Sequence, residues 1–385
     1  DYDGTNGSWE AIQSVENDSV LEDKNKERYT FNIDSNTKAY KYYKLEITAT
    51  KGAEFLQLSE MEFMYVLCVH SWVKVSETAA NCTEPSYIIK KCENCGAEAK
   101  AEVSPALGHD FGGNKECSRC GAVTTTQVGD KFYEDIHTAI DEAKSESTVT
   151  MLNNAEIADE LCISKNITLD LNGFTLKTTG NTRSIKVTDN STFTLEDLSG
   201  GGKIDGSGSG GGINVDNGTF NMTGGAIENC TATEYGGGVY VTNGTFNMSG
   251  GTISGCSAKR GGGVYVYMTG TFNMTGNSLI TNCTASEHGG GIYSYNNTSK
   301  VSITDGRISE CSAEWGGGIY ALGGIIDIHG STFENCTADY GGGFYANAGT
   351  TTVDQDTKFK NNHAEKYDGG GMYVSGKAVV NAENI

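Results

Sequence analysis

Runs of three glycines recur along the second half of this 385-residue chain, beginning at Gly210, Gly236, Gly261, Gly289, Gly316, Gly341 and Gly369. The interval between them is 25 to 28 residues throughout. Each run is followed by an apolar residue and, from the second onward, by tyrosine: Val239-Tyr240, Val264-Tyr265, Ile292-Tyr293, Ile319-Tyr320, Phe344-Tyr345 and Met372-Tyr373. A Thr-Phe-Asn-Met string starts at Thr219, Thr245 and Thr271, and a third string ends at Cys230, Cys256, Cys283, Cys311 and Cys336. Three short alternating segments per unit, with turns between them, predict three strands per repeat. A unit of this size cannot bury its own apolar face, so the units must stack. Propeller blades need about 40 residues each, and a leucine-rich horseshoe would need a Leu framework that is absent. The remaining solution is a parallel β-helix.

The start of the rod is also legible. Phe132, Ile136, Ala139, Ile140 and Ala143 recur at helical spacing in an otherwise charged stretch, predicting an amphipathic helix that covers the open sheet edge. Ile167, Leu169 and Leu171 then alternate as a strand with one buried face. The fold expected over 125–385 is therefore a mainly β, right-handed parallel β-helix with an N-terminal capping helix. The chain stops partway through a coil at Ile385, from which a truncated C-terminal end is expected. This region resembles the polymorphic outer-membrane protein and adhesin type of β-helix repeat, which pairs a Gly-Gly-Ala-aliphatic segment with Phe-x-x-Asn, and more broadly a pectate-lyase-like solenoid. Phe359 to Asn362 fits the second element; five other coils place Cys where that Asn would stand.

Two different pieces precede the rod. Residues 1–65 alternate in Tyr29-Thr30-Phe31-Asn32-Ile33 and Tyr43-Lys44-Leu45-Glu46-Ile47, then close on Leu56-Gln57-Leu58-Ser59-Glu60-Met61-Glu62-Phe63. With Asp3-Gly4 ahead of Trp9, this resembles the second half of a discoidin-like (coagulation factor type C) β-sandwich. The segment is shorter than a whole sandwich of about 100 residues, so a partial domain is expected.

Residues 66–124 concentrate Cys68, His70, Cys82, Cys92, Cys95, His109, Cys117 and Cys120. Two Cys-x-x-Cys-Gly knuckles, Cys92 to Gly96 and Cys117 to Gly121, let two thiolates point at one metal while the glycine relieves the backbone. Eight ligands divide into two tetrahedral sets, predicting two structural zinc ions. One grouping is His70, Cys82, Cys92, Cys95 with Cys68, His109, Cys117, Cys120; the other exchanges Cys68 and Cys82. Three disulfides in a secreted chain are the alternative, but they would leave both histidines unexplained. The segment resembles the Cys/His spacer modules of multidomain surface proteins from gut-type Gram-positive bacteria.

Function is bounded first by charge. Lys+Arg number 28 against Asp+Glu 49, a net of −21, which repels nucleic acid. No run reaches the roughly 18 apolar residues of a membrane span. On the rod, the Cys column after each apolar residue is expected to be packed and reduced. A second column precedes the glycine triplets: Glu287-His288, Glu314-Trp315 and Asp339-Tyr340, with Glu234-Tyr235, Lys259-Arg260 and Lys366-Tyr367 in neighbouring units. At a turn, aromatic faces beside carboxylates would suit a sugar chain, so Glu287, His288, Glu314, Trp315, Asp339 and Tyr340 are the candidate glycan-binding edge. The expected role is non-catalytic, extracellular or cell-surface adhesion to glycans or host surface glycoproteins. A β-helix glycoside hydrolase or polysaccharide lyase is the alternative, with no catalytic residue assigned.

Overall fold

The computed structural model describes residues 70–111, 115–207 and 210–383. The expected discoidin-like segment at 1–65 and the candidate ligand Cys68 lie outside the described residues. The chain divides into two compact units, Asp1–His109 and Asp110–Ile385.

In the first unit, β1 (Trp72–Thr78), β2 (Ser86–Cys92) and β3 (Glu98–Ser104) form an antiparallel sheet with β2 central. Its apolar side chains gain little burial: Trp72, Val73, Val75 and Val103 are all exposed. Among the described residues of this unit the buried ones are Cys82, Ser86 and Cys92. A sheet this open contributes little apolar burial of its own, which is the setting in which small domains depend on metal or bridges.

In the second unit a hairpin, β4 (Thr126–Val128) and β5 (Lys131–Tyr133), leads into α1 (Ile136–Glu142) and β6 (Ser147–Met151). Asp135 caps the helix by accepting from the Thr138 amide (2.9 Å), the usual way a first-turn N–H is satisfied. Ile136, Ala139 and Ile140 are buried as the spacing predicts, and they join the core of the rod. Phe132 departs from the expected helix. It lies on β5, because the edge of the sheet is finished by backbone pairing: β4 is antiparallel to both β5 and β6. The cap is thus a hairpin plus a helix.

From β6 onward all principal pairings are parallel, and the strands stack into a right-handed β-helix. The Thr-Phe-Asn-Met strings fall in a twelve-stranded sheet that includes the cap, and the Ile-to-Cys strings begin in a nine-stranded sheet. The residues after the glycine triplets form a second nine-stranded sheet, here called the tyrosine sheet. Three strands per coil were expected, but five successive coils carry a fourth: Ser257–Arg260, Thr284–His288, Ser312–Trp315, Thr337–Tyr340 and His363–Ala364. The reason is local. One left-handed residue precedes each cysteine, as at Asn282 (φ 53°) and Asn335 (φ 53°), and turns the chain sharply. The residues beyond it then run extended beside the coil below.

Register is kept by like-on-like stacking. Phe220, Phe246 and Phe272 stack with centroids 4.8 Å apart, and all three are fully buried. The glycine triplet is required where the tyrosine sheet begins. Gly289 sits at φ +65°, and a Cβ on Gly291 would lie 2.6 Å from the Gly318 carbonyl of the next coil, closer than any side chain tolerates.

The cysteine column is buried as expected: Cys230, Cys256, Cys283, Cys311 and Cys336 are each 0% exposed and none is disulfide-bonded. Each of the last four donates weakly to a carbonyl one coil down, Cys256 to Ile227 (3.7 Å) and Cys336 to Ile308 (3.8 Å). Asn362, at the equivalent position, donates its Nδ2 to the Phe333 carbonyl at 2.9 Å. Cys and Asn therefore exchange in this repeat because both place a donor against the same carbonyl.

Candidate functional site

Two clusters of chemically capable residues emerge. The first lies in the antiparallel unit. Cys92 closes β2, and the turn after it is held by Gly96 N donating to Cys92 O (2.8 Å), with Gly96 at φ 72°. His70, Cys92 and Cys95 offer ligand atoms that all lie within 4.8 Å of one another. Zinc–sulfur and zinc–nitrogen bonds of about 2.3 and 2.0 Å at a tetrahedral angle set donor atoms about 3.5 Å apart. Cys95 Sγ lies 3.4 Å from His70 Nδ1, so the donor set fits. Burial pushes the Cys92 thiol up, but hydrogen bonds from His70 and the Cys95 and Asn94 amides outweigh it and bring it to about 6. Trp72 stacks on His70 (4.7 Å, 22°) and fixes the imidazole plane, which accounts for the His-x-aromatic spacing.

Cys82 is buried and held by an Asn81 turn, in which the Asn81 side chain accepts from the Thr83 and Glu84 amides (2.9 and 2.8 Å). Its ligand atom groups with His109 and not with the His70 set. Of the two groupings open in the sequence, this favours the one that separates Cys82 from His70, Cys92 and Cys95. In the other unit the second knuckle repeats the first: Gly121 N donates to Cys117 O (2.9 Å), with Gly121 at φ 73°. The Asp110 and Arg119 amides both donate to Cys117 Sγ at 3.4 Å.

The second cluster is the outer face of the tyrosine sheet. Period-2 alternation buries Val264, Ile292, Ile319 and Phe344 inside the rod and turns Tyr265, Tyr293, Tyr320 and Tyr345 outward. These four rings are nonetheless only 2 to 5% exposed, because they stack coil on coil at about 5 Å and are covered from both sides. Burial raises the phenols of Tyr265 and Tyr293, with a further upward push on Tyr265 from Tyr293 and on Tyr293 from Tyr320.

The predicted edge supplies one cover. His288, Trp315 and Tyr340 stand in register on consecutive coils, on strands and not at turns. Their groups engage one another. Trp315 packs on Tyr340 (5.3 Å), Tyr345 (5.5 Å) and His288 (5.5 Å), and its Nε1 donates to Glu314 (2.9 Å). Glu287 pairs with Arg260 (2.6 Å) and Lys259 (3.4 Å); burial pushes its carboxyl up, but those cations outweigh it and hold it below the ordinary range. Asp339 pairs with Lys366 at 2.6 Å, and Tyr340 stacks flat on Tyr367 at 4.0 Å. His288 is lowered by burial and then by Arg260, so it is neutral near pH 7.

The other cover was not anticipated. Tyr267 and Tyr295 lie two residues beyond Tyr265 and Tyr293, on the same outward face, with centroids 5.3 Å apart. The signal was present as Tyr-x-Tyr, which at strand period places both rings on one side.

Comparison with known proteins agrees with this architecture. A family model described as a right handed beta helix region matches residues 184–357, a little under half of the chain. No curated protein and no solved structure gives a match.

Proposed function

We propose that this chain is a non-catalytic extracellular or cell-surface protein in which the β-helix serves as stalk and glycan-binding surface. The observation that carries the reading is the open margin of the tyrosine sheet, where Tyr295 is exposed beside Tyr267, since sugar rings stack on apolar ring faces while their hydroxyls bond at the rim. The match to a right handed beta helix region suits a surface or an enzymatic role alike, so the carboxylates favour one over the other. Glycosidic hydrolysis needs two carboxyl groups available to the sugar. Glu287 and Asp339 are committed to cations, and Glu314 accepts from the indole. Glu196 is raised by burial and by Asp170 beside it in register. Asp170, however, accepts from the Asn172 and Leu198 amides and so serves its own loop.

Two structural zinc ions complete the proposal. Their ligands are drawn from Cys68, His70, Cys82, Cys92, Cys95, His109, Cys117 and Cys120, with His70, Cys92 and Cys95 together in one set. Closed four-ligand shells leave no position for substrate and contribute folding energy to a segment with little apolar core. The test of the reading is a glycan array run beside a reducing-end release assay on the same polysaccharides. Binding without release is expected; release of new sugar ends by the purified chain overturns the non-catalytic role.

A further inference from the structure

The geometry points to a neutral polysaccharide chain lying along the rod axis over Tyr267 and Tyr295, one column away from the Trp315 edge; this rests on the glycan-binding reading and specifies its site and ligand class. Four observations converge.

First, the position breaks the repeat. Running across the coils, the in-register column reads Thr242, Tyr267, Tyr295, Leu322, Asn347. From Tyr240 to Tyr373 every coil carries tyrosine on the inner column, so that run follows from duplication of the unit. The two outer tyrosines do not.

Second, the outer column is open at Tyr295, half-buried at Tyr267 and firmly backed. Tyr295 is 39% exposed and the adjoining Met268 40%. Beneath them lie Tyr265 and Tyr293, each about 6.1 Å from the outer ring of its own coil and themselves buried. A platform fixed before binding loses little freedom when a ligand arrives.

Third, the polar groups differ between the two sides of the face. Farther up the rod Tyr320 accepts from Asn347 (3.0 Å) and Tyr345 shares a hydrogen bond with Ser375 (2.8 Å). Among the described residues no such bond engages the Tyr267 and Tyr295 hydroxyls, leaving them for sugar hydroxyls.

Fourth, the charge fits an uncharged chain. Residues 261–279 and 289–299 contain no Asp, Glu, Lys or Arg, whereas the whole chain carries −21. Polyuronates and sulfated glycans are repelled by the whole, and the two segments that carry the rings offer them no cation. Rings that recur once per coil, 5.3 Å apart, also match the length scale on which sugar units recur in an extended chain.

The test is isothermal titration of the intact chain with cellohexaose, xylohexaose and mannohexaose, and with polygalacturonate as the anionic comparison. At least one neutral hexasaccharide is expected to bind. Tyr295→Ala and Tyr267→Ala should each weaken it by about tenfold or more, as hot-spot truncations do, with little change in melting for the exposed Tyr295 and a lowered melting temperature for the half-buried Tyr267. Tyr295→Phe should retain most of the affinity, because the ring face remains. Trp315→Ala should keep the affinity and lower the melting temperature. Loss of binding in Trp315→Ala with none in the Tyr267 and Tyr295 variants overturns this site and leaves the glycan reading standing. Preference for polygalacturonate overturns the ligand class alone. A parent chain that binds none of the four overturns both.

Discussion

Removing the Trp315 side chain separates a packing role from a binding role in one variant. The indole is half-buried and touches rings on three coils: His288 at 5.5 Å, Tyr320 at 6.3 Å on its own coil, and Tyr340 and Tyr345 at 5.3 and 5.5 Å. A tryptophan buries about 150–250 Å² when enclosed, so at half burial Trp315→Ala gives up on the order of 100 Å², or about 2.5 kcal/mol at 25 cal/mol per Å². Aromatic pairing adds about 0.5–1.5 kcal/mol beyond area. Loss of the Nε1 bond to the exposed Glu314 adds little, since water replaces it. The expected destabilisation is about 2–4 kcal/mol, which for a unit of this size lowers Tm by roughly 5–10 °C. Differential scanning calorimetry reads the shift, and titration with the bound hexasaccharide reads affinity on the same sample. The Trp315→Phe variant should recover about half of the loss, in keeping with its smaller ring. A Tm within about a degree of the parent, far below the shift expected for 2–4 kcal/mol, would refute the packing argument.

Three further outcomes follow from the same geometry. Gly290→Ala places a Cβ 2.5 Å from the Gly317 carbonyl and 2.6 Å from the Ser312 amide; because these are backbone atoms, about 3 kcal/mol or more is lost, and urea midpoints equal to the parent's would contradict it. The five column thiols should resist alkylation in the native state and react together on unfolding. All five are 0% exposed, so rapid native labelling would show the column to be open. Elemental analysis should find two zinc ions per chain, and chelation should loosen residues 70–111 to proteolysis while leaving the melting of the rod in place. A metal-free protein with mass shifts for three disulfides would defeat the zinc assignment.

Much of the fold was legible in the residue string because a solenoid is nearly one-dimensional. The period, the three apolar strings and the glycine triplets each report a contact with the identical residue one coil away, so sequence spacing translates directly into register, as Phe220, Phe246 and Phe272 illustrate. The burial of the cysteine column followed from the same rule. Four of the eight Cys/His candidates, Cys92, Cys95, Cys117 and Cys120, could be named from the knuckles alone, because ligand chemistry is local to a Cys-x-x-Cys-Gly turn.

What the tertiary structure decided concerns groups that meet across the repeat or outside it. Ligand grouping depends on where Cys82 falls in space, and an Asn81 turn sets it beside His109. The fourth strand arises from left-handed residues at Asn282 and Asn335 whose effect on the following segment no periodicity reveals. The same applies to the aromatic face. Alternation announced that Tyr265 and Tyr293 point outward, yet only packed coordinates show them covered, with Trp315, Glu287 and Asp339 committed to neighbours and Tyr295 left open. Sequence determines which way a strand residue points; whether that side meets water depends on what the adjoining segments lay over it, and that is a property of the folded rod.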